Sequence, residues 1–485
     1  MTLCVEKGEA ARLMTEGCDD RIVPDPETGL NRYHSAPFPR DLIAYASSTA
    51  NDISAAAYAR AERVLTETGA APEPGVYRRR LEAMRARIRA AYGVGEDVAV
   101  IFAPSGTDLE YVALALVAGR AAGGTNAILL GADEVGTGCI HSAHGRYFAH
   151  QTALGTAVSP GAPVPGLGEA TLDLIDIAVR DRMGRVRPST YIASRMHASI
   201  GAARGAGRHS LVHIVHGSKT GLILPSLADV DALCERHQDA ATLVVDACQA
   251  RITSAAVDDY LARGAIVFVT GSKFMGGPPF SGFALVPAAL ALRAPPLPAG
   301  LATIFRRAEW PAGWPGADAL PESVNIGLLL RLEASLFELE RFQALDDAAV
   351  WRVIHAFHAA VRAEIVEEMP ARRVAPYPPG DVAEADSHPI EMRTLSTLDL
   401  SALKPRGASF EDAQAWHKAM ALSGVRLGQP VKCVRLPDGR WGATLRIGLA
   451  MNQVVDAAHL ADEPLARVFG ADMAAIREAL AAVSQ

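Results

Sequence analysis

The amino-acid sequence predicts an α/β protein, with a large domain built on a mainly parallel sheet and a smaller C-terminal α/β domain. Three observations carry that expectation. The chain has 485 residues, 49% of them hydrophobic and 21% charged, more than one core normally organises. Short β-rich runs alternate with helical ones through its middle, which is the pattern of a layered parallel sheet. A Pro-rich stretch from Ala294 to Gly316 then interrupts the pattern before a second α/β portion begins.

Taken in order, residues 1–45 are rich in Pro, Gly, Asp and Arg and end in Gly29-Leu30-Asn31-Arg32-Tyr33 and Pro37-Phe38-Pro39-Arg40. They read as an extended N-terminal arm of the kind that crosses to a partner subunit. Residues 46–300 are expected to form the large domain. Apolar spacing is helical from Ser54 to Tyr92, with a break at Pro72–Gly75, and Arg78–Arg89 reads as a solvated amphipathic helix. Strand-like runs follow at Val98–Ala103, Ala127–Leu130, Ile175–Arg180, Leu211–His216, Thr242–Asp246, Ile266–Thr270 and Phe283–Val286. Helical stretches at Leu109–Ala121, Leu227–Arg236 and Val257–Arg263 separate several of them. Residues 301–485 hold a linker helix through Arg331–Phe342 and the smaller domain. There is no internal repeat.

Composition excludes several classes. No run of eighteen apolar residues is present, and the first ten residues carry Glu6, Lys7 and Glu9 in place of an apolar signal core, so a cytoplasmic protein with no membrane partner is expected. The six cysteines (Cys4, Cys18, Cys139, Cys234, Cys248, Cys433) are scattered without a CxxC pair and are expected to be reduced. A net charge of −7 with dispersed Lys and Arg leaves no footprint for nucleic acid. A small-molecule substrate is the expectation.

The chemistry is concentrated in two segments, Leu243-Val244-Val245-Asp246-Ala247-Cys248-Gln249 and Ile266-Val267-Phe268-Val269-Thr270-Gly271-Ser272-Lys273. Each is an apolar strand that stops abruptly at polar residues. Alone, Asp246 would be a turn residue and Lys273 a surface amine. Together, on successive strand ends, they suit pyridoxal 5′-phosphate (PLP): Asp246 keeps the pyridine nitrogen protonated and Lys273 carries the aldehyde as a Schiff base. An apolar setting would lower the lysine's pKa and fit it to act as a base. Upstream, Ser105-Gly106-Thr107 lies between a strand and a helix, where backbone N–H groups and hydroxyls face an anion such as the cofactor phosphate. Ser272 offers a further phosphate contact.

With these residues the chain resembles the class V group of PLP-dependent aminotransferases, of fold type I, which includes cysteine desulfurases and kynureninase. Asp246-Ala247-Cys248-Gln249 resembles the group's Asp-Ala-x-Gln motif, implying that Gln249 meets the ring's phenolic oxygen. Ser272-Lys273 resembles its cofactor-lysine motif without the preceding His. Ser105-Gly106-Thr107 resembles its phosphate turn. Ala443-Thr444-Leu445-Arg446-Ile447-Gly448-Leu449 resembles the strand whose arginine clamps a substrate α-carboxylate, a task the guanidinium fork suits. Val215-His216-Gly217-Ser218-Lys219-Thr220-Gly221 keeps only the Thr-Gly of the group's Asn-Asn-Glu-Thr-Gly.

The residue stacked on the ring falls between Gly131 and His141, with His141, Val135 and Thr137 all open. His141, His144 and His150 raise the thought of a metal, but no Asp or Cys accompanies them at zinc-like spacing and no metal is expected. The resemblance implies a homodimer and an α-amino acid substrate. Transamination is the leading expectation. The alternatives are a PLP-dependent lyase or cysteine desulfurase using Cys433, a carbon–carbon bond-forming enzyme, and a non-catalytic protein that keeps the fold.

Overall fold

The computed structural model describes residues 8–132, 134–136, 138–167, 172–376 and 393–485. In chain order its strands are β1 (Ile43–Tyr45), β2 (Ala99–Ala103), β3 (Thr125–Leu130), β4 (Leu172–Ile177), β5 (His209–His216), β6 (Ile223–Leu224), β7 (Ala241–Asp246), β8 (Ile266–Thr270), β9 (Gly282–Val286), β10 (Arg372–Val374), β11 (Leu395–Asp399), β12 (Val425–Leu427) and β13 (Thr444–Gly448). The main sheet runs β2-β9-β8-β7-β5-β3-β4, with β6 added to β5. Neighbours from β8 through β7, β5 and β3 to β4 are parallel. β9 runs antiparallel to both β8 and β2. The expected mainly parallel α/β sheet is therefore present.

Buried parallel strands read as continuous apolar runs because both faces are covered. Here alternate residues feed two cores. Val212, Ile214, Val245, Val267 and Val269 face one, with the long helices Ala55–Thr68, Pro74–Tyr92 and Ile326–Gln343. Leu211, Val244, Ile266 and Phe268 face the other, with the helix Leu109–Val117 and the segment carrying Trp310 and Trp314. Because side chains alternate along a strand, Asp246 shares the second face with Val244.

Three stretches differ from the sequence reading. β4 begins three residues before the apolar Ile175–Arg180 run, since it is the sheet's outermost strand and its pattern Leu-Asp-Leu-Ile-Asp-Ile buries only its ends. The Pro74–Tyr92 helix is not solvated along the whole of Arg78–Arg89: Arg85 is fully buried. Its guanidinium donates to Val100 O and Ala308 O at 2.8 Å each, pairs with Glu82 and lies over Phe102. Residues 8–45, expected as an extended arm, instead carry a short helix at Glu9–Leu13 and a helical turn at Asp20–Ile22 and pack on their own chain. Arg331, buried in the long helix, donates to the carbonyls of Met14, Glu16 and Gly17 and pins that segment.

After the main sheet, β10-β11-β13 form a small antiparallel sheet, and β1 pairs with β12. β13 thereby carries Arg446 back to the main sheet. No helix among the described residues is long and apolar enough to cross a membrane.

Candidate active site

Asp246 ends β7, and Lys273 follows β8 by three residues. The two turns are locked together. Thr270 Oγ1 donates to Cys248 O at 2.6 Å, and Phe274 N donates to Gln249 O at 3.2 Å. Cys248 N donates to Asp246 Oδ1 at 2.9 Å, fixing the carboxylate with one oxygen. Ala250, just beyond Gln249, is held at a φ of 57°, a strained conformation without a glycine's freedom, which turns the chain sharply into Arg251.

The Ser105–Thr107 turn meets the same strand ends. A Cβ on Gly106 would lie 2.7 Å from Thr270 Cγ2 and 3.3 Å from Cys248 Sγ, so only glycine permits this approach. Ser105 Oγ donates to Asp108 at 2.6 Å. Burial and the neighbouring Asp19 carboxylate raise Asp108 to about 7. Arg21 reaches this turn from the N-terminal segment, its guanidinium 3.3 Å from both Ser105 Oγ and Thr107 Oγ1. Asp19 pairs with Arg21 at 2.6 Å, and the rings of Phe148 and Phe280 enclose it at 4.7 Å each.

Arg446 is buried at 2% exposure. Nε donates to Gln429 O, Nη1 to Ser48 O and Lys219 O, and Nη2 to Thr49 Oγ1. Among the described residues four of the five N–H donors are thus engaged, and one Nη2 hydrogen has no partner there. Burial lowers Arg446 to about 10. Ser48 O also accepts from Gln249 Nε2 at 3.2 Å, which joins Arg446 to the Asp246 turn. Gln249 Oε1 accepts from Arg251, a buried cation held with Ser47 and Thr394 under the Phe274 ring and lowered by burial to about 9.

Ser105, Gly106, Thr107, Asp246, Gln249, Ser272, Lys273 and Arg446 thus lie together, after the ends of β2, β7 and β8 and on the returning β13. Several other residues there were missed. Ser47–Asn51 lines the site: Asn51 donates to the carbonyls of Lys273 and Ser272. The buried Ser48 hydroxyl has no hydrogen-bond partner among the described residues. Lys219, after β5, donates its N–H to Glu134 O. Burial and then the Arg446 charge lower its amine to about 8, Lys273 adding to the effect and Glu134 opposing it. Glu134 is itself buried, paired with Arg180 at 2.7 Å and accepting from Ser218 and Thr220. Below Asp246's face of the sheet, Glu110 and His213 form a buried pair at 2.6 Å. Burial alone would lower His213, but Glu110 raises it.

Of the residues open for the ring's face, Thr137 lies outside the described residues. His141 is exposed, which removes it, and Val135 is buried. Cys139 is a further occupant: burial and the carboxylates of Glu110 and Asp246 push its thiol up, while Lys273 and Lys219 oppose them. His150 is also exposed, and His144 bonds Leu172 O at 3.2 Å. Among the described residues no three His, Cys, Asp or Glu side chains are grouped to hold a metal. The five described cysteines are free.

No family model matches the chain, and no curated protein matches it. Solved structures do. A NifS-like protein superposes with a TM-score of 0.55 at 11% identity, covering 90% of this chain and 99% of that one. Ureidoglycine-glyoxylate aminotransferase from Bacillus subtilis gives 0.55 at 14% identity, over 92% and 98%. A C-DES variant with glycine covalently linked to its PLP cofactor gives 0.55 at 15%, over 89% and 96%. The chain therefore has the fold of the fold-type-I PLP-dependent enzymes, like that of class V.

Proposed function

We propose that this chain is a PLP-dependent enzyme acting on an α-amino acid, and that it transfers the amino group. The observation that carries the reading is the convergence of Asp246, Lys273 and the Ser105–Thr107 turn on adjoining strand ends, with Gly106 in contact range of both the β7 and the β8 turn.

The donor set fits the cofactor. Arg21, Ser105, Thr107 and the helix that begins at Leu109 would hold its phosphate, with Ser272 nearby, and a dianion there would compensate the Arg21 guanidinium beyond what Asp19 supplies. Asp246 keeps an oxygen free of backbone bonds for the pyridine nitrogen. When bound, PLP supplies an electron sink for charge developing at the substrate Cα.

The chain's own groups supply the rest. Lys273 holds the cofactor and, once displaced by the substrate amine, is placed to move the proton at Cα. Arg446 offers its remaining Nη2 hydrogen to the substrate carboxylate. The Lys219 amine is the second cation for that carboxylate, since Arg446 alone lacks a free fork. Gln249 orients the ring edge only if it exchanges its bond to Ser48 or Arg251. Cys433 does not support the desulfurase alternative: it is buried, and burial pushes its thiol up to about 11, leaving little thiolate for attack.

The reading includes a homodimer, checked by sedimentation. It is tested by titrating the PLP-saturated protein with each of the twenty amino acids while following the visible spectrum and assaying keto acid. A spectral change with stoichiometric keto acid supports amino transfer; sulfide with alanine, or a joined product, replaces it with one of the other reactions; no spectral response to any amino acid contradicts it.

A further inference from the structure

At the other end of the parallel strands from Lys273, beside the starts of β5 and β7, a cavity of about 250 Å³ is lined by Arg120, Arg263, Arg293, His209 and His237. Thr242, at its floor, and Asp246 lie at opposite ends of β7, about 13 Å apart at the rise of an extended strand. The cavity is thus separate from the site described above.

Its charges are not balanced. Arg263 is neutralised by Asp231 at 2.6 Å. Among the described residues Arg120 and Arg293 form no ion pair: Arg120 bonds Leu116 O and Thr242 Oγ1, and Arg293 bonds Ala289 O. The two act on each other as like charges, for Arg120 is lowered by burial and then by Arg293. His209, bonded to Thr242 Oγ1 at 2.9 Å, is in turn lowered to about 4 by burial and Arg120. Arg120 Nη2 and His237 Nδ1 are both buried without a hydrogen-bond partner among the described residues. Asp239 is the one carboxylate of the cavity wall, and it pairs with neither arginine. Two guanidinium groups on one cavity wall, beside buried donors that lack a partner among the described residues, favour an anion that joins them.

We infer that this cavity binds a small phosphate-bearing anion, held by Arg120 and Arg293 with donors from the histidines. Arginine forks match phosphate oxygens in pairs. The volume exceeds that of a lone phosphate, and the apolar wall formed by Leu233, Leu243 and Leu290 accommodates a small organic group. The inference does not depend on the reaction proposed at Lys273.

The test is calorimetric titration of the PLP-saturated protein with pyrophosphate at low ionic strength, so that the cofactor's own phosphate site is filled. Wild-type protein is expected to bind one pyrophosphate per chain. Arg293→Gln, an exposed residue with a single backbone bond, should fold normally and weaken binding by at least about tenfold. Arg120→Gln should do the same if it folds, and Arg293→Gln decides the matter if it does not. Absence of binding by the wild type, or affinity unchanged in Arg293→Gln, overturns the assignment.

Discussion

The turns after β5 and after β8 each bring a lysine to the same edge of the sheet and hold it differently. Lys273 is fixed through its own main chain, with Asn51 gripping its carbonyl and Phe274 tied back to Gln249. Lys219 is held through its main chain as well, its carbonyl accepting from the Arg446 guanidinium and its N–H donating to the Glu134 backbone carbonyl, but its amine also lies among charges and is pushed down to about 8 by burial and Arg446. Main-chain bonds fix where each side chain begins; an amine set among cations also responds to the arrival of an anion. The first arrangement suits a covalent anchor and the second a substrate contact.

The largest effect is expected at the anchor. Lys273→Ala should lose about a thousandfold or more in turnover, as loss of a positioned base and covalent tether does, while its melting temperature stays near that of the wild type. A variant that retains activity would remove the distinction between the two lysines.

Arg446→Ala should lower kcat/KM by roughly a hundredfold. It should also lower the melting temperature, because the carbonyls of Ser48, Gln429 and Lys219 lose a buried donor. If stability falls and KM for the amino acid stays constant, Arg446 is structural and Lys219 alone faces the carboxylate.

Lys219 gives a pH signature. Its folded pKa of about 8 lies below the 10.5 of an ordinary lysine, so between those values the unfolded chain binds more protons. Stability therefore rises as pH rises from about 8 towards 10, and the full penalty is present below 8. Lys219→Met should melt above the wild type at pH 7, with the gap closing by about pH 10, as thermal scans across that range would show. An equal gap at every pH would mean that the amine is not the source. The smallest effect belongs to Cys433→Ser, whose activity on amino acids should stay within about twofold of the wild type, since a thiol near 11 is not a working nucleophile.

The central sheet was legible because its buried strands are unbroken apolar runs, and Asp246 and Lys273 stand out where those runs stop. Ser105-Gly106-Thr107 was legible as a strand-to-helix turn. The rest of the site depends on contacts without local pattern. Asn51 meets Lys273 across 222 residues of chain, and Arg21 meets Ser105 across 84. Nothing in the periodicity around Ser47–Asn51 or Cys18–Arg21 announces either. Arg85 looked solvated because a charged helix ordinarily is, and it is the carbonyls of Val100 and Ala308, with Glu82 and the Phe102 ring, that allow its burial. His141 attracted notice as the chemically apt residue, yet its helix turns it outward and buries Cys139 near Asp246 and Lys273.

The most direct test of the account is to saturate the protein with PLP, reduce it with borohydride and map the modified peptide. The account predicts a visible absorption band that reduction abolishes and a single pyridoxyl group on Lys273, absent from Lys273→Ala. A colourless protein that takes up no PLP, or a label fixed on Lys219 in the wild type, would contradict it.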